Sequence, residues 1–122
     1  MIGGLFKKMG PFMPTPTPCV QPPPLWGGEE HLRGLLGGEV EFERIERDTL
    51  EVSAFERPDD FGDHFKGRYG PTIAARANAE KNGKAEELDR KLTEFCAEMN
   101  RGKDEDAFFE MEYLLTVARK RG

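Results

Sequence analysis

Cysteine is scarce in this chain of 122 residues: Cys19 and Cys96 stand far apart and form no CxxC pair. That excludes a disulfide framework and predicts a reducing compartment, the cytoplasm. Basic clusters are scarce too. Net charge is −5, and Glu39 to Asp63 holds ten acidic residues against three arginines. Nucleic-acid binders need clustered Lys and Arg to displace counterions from phosphates, and the one basic run is Arg119-Lys120-Arg121 at a terminus. The chain is read as no nucleic-acid binder. A long apolar run is absent as well. Met9 to Gly28 carries no charge, but seven of the nine prolines fall between Pro11 and Pro24. Those prolines lack the amide donors that a bilayer-spanning segment must pair internally, so no membrane span is expected. Lys7 and Lys8 lead into prolines instead of an apolar stretch, unlike a signal peptide.

Motifs of chemistry are missing in the same way. There is no GxSxG and no P-loop. Gly34, Gly37 and Gly38 close a predicted helix instead of following a strand, so they are not a dinucleotide fingerprint. His31 and His64 are isolated beside helix-start acids and are read as surface histidines, since metal ligands must converge from defined spacings. No catalytic, cofactor-binding or metal-binding residue is assigned from composition or spacing.

What is present suits one domain with a modest core: 37% hydrophobic and 34% charged residues, with a mean hydropathy of −0.67. Ile2, Leu5, Phe6 and Met9 predict a short helix over 2–9, stopped by Gly10-Pro11. Pro11 to Pro24 predicts polyproline II, which at ~3.1 Å per residue would span roughly 43 Å. It reads as a stiff connector, with a ligand for a proline-reading domain as the alternative. Residues 1–24 thus form a helix and connector ahead of 25–122.

Leu25 to Leu36 predicts a helix with Glu29 and Glu30 in its first turns and a left-handed glycine cap at Gly37-Gly38. Alternation then predicts strand segments over 40–46 and 49–55, either a hairpin or one bent strand. Ile45 breaks parity, which predicts a bulge or bend near Arg44–Asp48. Pro58, Asp59 and Asp60 start a helix carrying Phe61, Phe65 and Tyr69. Gly70-Pro71 interrupts it, a further helical stretch follows over 72–79, and Asn82-Gly83 turns the chain. Leu88, Leu92, Phe95, Cys96 and Met99 form one stripe over Lys84 to Asn100, with Glu86–Arg90 and Glu87–Lys91 spaced as i,i+4 pairs. Cys96 on that stripe is expected to be a small core residue. At the end, Phe109, Met111, Tyr113, Leu115 and Val117 alternate as a strand over 107–119. Phe108, Met111, Leu114 and Leu115 leave a helical face as the alternative.

The run Ile2-Gly3-Gly4-Leu5-Phe6-Lys7-Lys8-Met9, the segment Pro23-Pro24-Leu25-Trp26-Gly27 before a leucine helix, and Tyr69-Gly70-Pro71 carry a resemblance. With the order of elements, they resemble the C-terminal part of class I S-adenosylmethionine-dependent methyltransferases of the ubiquinone/menaquinone-biosynthesis-like type. The resemblance implies an α/β fold, a fragment of the Rossmann-like architecture in which a small antiparallel strand set carries packing helices. The family's glycine-rich cofactor turn and ribose-binding acid belong to an N-terminal half that this sequence does not match. S-adenosylmethionine is therefore implied for the complete family and not for this chain alone. The family's late segments cover the substrate side of the cleft, which makes Trp26, Phe65 and Tyr69 candidate wall residues, with core aromatics as the plain alternative. The family's last strand lies antiparallel between the fifth and sixth. Strand 107–119 would then pair with 40–55 and leave its other edge open. The implied partners are a complementing N-terminal methyltransferase half or a second copy joined through that edge.

Overall fold

A computed structural model describes residues 1–103 and 105–122. It is a mixed α/β structure of five α-helices and a two-stranded antiparallel sheet. The helices are α1 (Ile2–Met9), α2 (Glu29–Leu36), α3 (Pro58–Arg68), α4 (Gly70–Lys81) and α5 (Ala85–Met99), and the strands are β1 (Val40–Phe55) and β2 (Ala107–Lys120).

The apolar stripe of α5 needs a surface, and two clusters supply it. On one side Leu88, Leu92 and Phe95 pack with Leu5, Met9 and Phe12 from the N-terminal segment and with Ala75 and Ala79 of α4. The alanines let α4 approach closely. On the other side Cys96 joins Phe61 of α3 and Ala107 and Phe109 of β2. Burial of each large side chain here stabilises by about 1.5–3 kcal/mol.

Local chemistry sets the helix boundaries. Asp60 accepts the Arg57 backbone N–H at 3.0 Å and the Arg57 guanidinium at 3.1 Å, closing the start of α3. Tyr69 leaves helical geometry (φ −95°, ψ 112°), and α4 begins at once with Pro71 in its first turn. Gly83 (φ 66°) takes the left-handed turn before α5. On α5, Lys91 pairs with Glu87 at 2.8 Å as the spacing predicts, but Arg90 pairs with Glu94 instead of Glu86.

Three expectations are corrected. The proline segment is not one extended rod. Gly10–Phe12 and Pro23–Gly27 are single 3-10 turns, and a turn closes between them where Val20 N–H donates to Thr17 O at 3.2 Å. Cys19 sits in that turn with φ 69°, and Met13 and Pro22 keep polyproline-like angles. The helix foreseen over 25–36 is split, because Gly28 is extended (φ −106°, ψ 121°) and α2 starts only after it. Gly37 ends α2 in right-handed geometry (φ −58°, ψ −23°), and the only glycine with positive φ among the described residues is Gly83.

β1 is one continuous strand, not a hairpin, and it pairs with β2. Its register shifts between Phe42 and Arg44. The extra residue puts Phe42 and Ile45 on one face, which explains the broken parity. A second shift between Val52 and Phe55 turns Phe55 inward and Ala54 out, where simple alternation placed Ala54 inside.

Candidate functional site

A shallow groove of about 470 Å³ joins the strands to the N-terminal segment. Trp26 and Pro24 line one side, the start of α1 another, and Arg47, Glu112 and Leu114 the strand face. Met1, Ile2, Gly3 and Gly4 form the α1 side.

Arg47 organises this groove. Its Nη1 donates to Glu112 Oε1 at 2.7 Å across the strands, and its Nη2 donates to the Gly27 carbonyl at 3.1 Å. One planar guanidinium thereby fastens the Pro23–Gly27 turn to β1 and β2. Trp26, on that turn, is 57% exposed, and its ring meets the edge of His31 at 6.3 Å between centroids. On the opposite strand face, the Tyr113 hydroxyl donates to Asp48 Oδ2 at 3.1 Å, and this bond to a carboxylate raises the Tyr113 pKa.

The three aromatic candidates separate. Trp26 lines the groove, whereas Phe65 and Tyr69 do not. Phe65 stacks on Phe61 with centroids 4.4 Å apart and leans on Tyr69 at 5.0 Å. Tyr69 meets Phe6 edge-on at 6.3 Å. These two are half-buried supports between the clusters. Burial pushes the Tyr69 hydroxyl pKa up.

The remaining chemistry-bearing groups stay dispersed. His64 faces Arg68 at 3.5 Å and the Phe55 ring at 5.5 Å, on a different element from His31. Among the described residues, no three His, Cys, Asp or Glu side chains converge to hold a metal ion. Burial, with Asp59 adding to it, pushes the Cys96 thiol up to about 11, while Cys19 is exposed. A second groove, of about 540 Å³, brings Lys7, Lys8 and Lys91 near Glu94 and Glu98. Lys8 is paired with Glu98 and Lys91 with Glu87, so it gathers no excess of positive charge. Arg47 and Glu112 escaped the sequence reading because they lie 65 residues apart and meet only in one strand register.

The mixed α/β class is the level at which the fold is defined. The sequence is similar to several mycobacterial proteins. The uncharacterized protein Rv1405c of Mycobacterium tuberculosis (strain ATCC 25618 / H37Rv) is 38% identical over 120 residues, 98% of this chain and 42% of the relative. The uncharacterized protein Mb1440c of Mycobacterium bovis shows the same identity and coverage. The uncharacterized protein Rv1403c of the same Mycobacterium tuberculosis strain is 36% identical over 120 residues, 97% of this chain and 42% of its own length. The chain thus spans about two-fifths of the length of the curated relatives it matches. No family model matches the sequence, and no solved structure matches it.

Proposed function

We propose that this chain is the C-terminal part of a class I S-adenosylmethionine-dependent methyltransferase, acting in the cytoplasm as scaffold on the substrate side of the cleft. The observation that carries the reading is the antiparallel pairing of β1 with β2, with no third strand beside β2 among the described residues. That is the strand neighbourhood the resemblance requires of the last two strands of a Rossmann-like sheet. The greater length of the mycobacterial relatives supports it, since they have room for a cofactor-binding half.

Among the described residues, no glycine-rich turn lies between a strand and a helix, the feature the resemblance assigns to the cofactor site. No step through the cofactor is assigned to these residues. Their part is orientation and exclusion of water. Trp26 offers an exposed wall beside Arg47, and Phe65 and Tyr69 brace α3 and α4 against the core away from the groove. Isothermal titration of the isolated chain with S-adenosylmethionine should give no binding heat. Micromolar affinity would overturn the reading.

A non-enzymatic interaction module is the second reading, and the exposure of residues 14–23 favours it. The DNA upstream of Met1 separates the two. A coding stretch there with a strand followed by GxGxG supports the methyltransferase, and a clean promoter supports the module.

A further inference from the structure

Phe12 and Leu32 are buried, and no residue between them is. Val20, Leu25 and Trp26 are apolar and exposed in that stretch. Residues 13–26 carry no charge, so no ion pair can hold them. Their backbone bonds are local: Met13 N–H donates to Gly10 O, Val20 N–H to Thr17 O and Leu25 N–H to Pro22 O, at 3.1–3.2 Å. Side chains of other elements grip only the two ends. Asn78 Nδ2 of α4 donates to the Phe12 carbonyl at 3.0 Å, and Arg47 Nη2 of β1 donates to the Gly27 carbonyl at 3.1 Å. Among the described residues, no side-chain hydrogen bond reaches the backbone in between.

The two ends are not held alike. Phe12 is in the main core with Leu88 and Leu92, and Lys91 lies 4.9 Å over its ring. Burial fixes that end whether or not Asn78 bonds to it. At the other end Trp26 is 57% exposed and meets only the edge of His31 among aromatic rings. Gly27-Gly28 then joins it to α2, and glycine dihedrals are the least restricted. Between the ends, six prolines fix φ and keep the stretch stiff.

We infer that residues 13–26 form a strap pivoting at Phe12, with Trp26 as its movable tip, and that the Arg47 bond to the Gly27 carbonyl is the latch that sets Trp26 as a wall of the groove. With the latch closed, Trp26 and Pro24 stand across from Leu114 and the start of α1. With it open, the groove loses that wall. Arg47 suits the task because one rigid fork pairs with Glu112 and still reaches Gly27, which the single ammonium of a lysine does not do. Both partners of the latch are exposed, so water can replace either bond partner when it opens. The inference rests on the groove and not on the methyltransferase reading.

The chain has one tryptophan, so intrinsic fluorescence reports the tip alone. In Arg47→Ala, acrylamide should quench Trp26 more strongly than in the parent. Amide exchange at Leu25 and Gly28, which are bonded inside the turn, should speed about tenfold, as loss of a hydrogen bond from a charged donor allows. Exchange at Leu92 in α5 should not change. Arg47→Lys should release the tip in the same way, and it carries both readings if Arg47→Ala does not fold. Glu112→Gln keeps an acceptor for the guanidinium and should leave the tip latched. Parent-like quenching and exchange in Arg47→Ala or Arg47→Lys would overturn the inference, because Trp26 would be held by something else. Release of the tip by Glu112→Gln would overturn it too, by assigning the hold to the ion pair. So would faster exchange along the whole β1–β2 ladder of Arg47→Ala, which would mean that the sheet had opened and not the strap.

Discussion

At the Val52–Phe55 end of the strand pair, Phe109 is fully buried between Phe61 of α3 and Cys96 of α5. Toward the other end Tyr113, Leu115 and Val117, on the same face, stand in solvent. Length accounts for the contrast. Fourteen residues of β2 reach about 45 Å at ~3.3 Å each, while the 11 residues of α3 reach about 17 Å at ~1.5 Å each. The helices cover one end and the strands overhang. α2 gives the overhang partial cover on its opposite face, where Arg33 lies 5.0 Å over the Phe42 ring.

The sharpest way to break this comparison is to empty the covered end. Phe109 touches Phe61 with ring centroids 4.6 Å apart and has no exposed surface. Phe109→Ala should cost about 3–5 kcal/mol through lost burial and the cavity left behind. Urea denaturation followed by tryptophan fluorescence and by circular dichroism would measure it. A loss below about 1 kcal/mol would mean that the helices do not hold this end as described.

A smaller effect comes from Cys96, in the same cluster. Its folded pKa is raised to about 11 from an ordinary value near 9 because burial disfavours the thiolate. The unfolded chain therefore loses the thiol proton first. The contribution of the protonated thiol is fully present below pH 9 and is lost as pH rises toward about 11. Between those pH values the denaturation midpoint of the parent should fall more steeply than that of Cys96→Ala. Parallel curves would place the thiol in contact with water.

Much of this contrast was legible before any coordinates. Helix α5 and the alternation of β2 follow from the stripe of Leu88, Leu92 and Phe95 and from five alternating positions, because each pattern has one period and one solution. The N-terminal helix was legible in the same way, although its burial in the main core was not, since that depends on α4 presenting alanines. The breaks were harder. Gly37 reads as a left-handed cap and Gly28 falls inside a predicted helix, but Gly37 is right-handed and Gly28 extended, and the shift at Val52–Phe55 had no local signal. The groove was the least legible part. Trp26 stood out by type, but Arg47 and Glu112 are ordinary charged residues until the register makes them neighbours.

The smallest effect belongs to the open end. Leu115 sits opposite Glu46 and is 36% exposed. Removing its side chain leaves little burial to lose, so Leu115→Ala should shift stability by no more than about 0.5 kcal/mol. Thermal melts of the parent and the variant measure the difference. A cost that is large in the isolated chain would show that the helices already reach it.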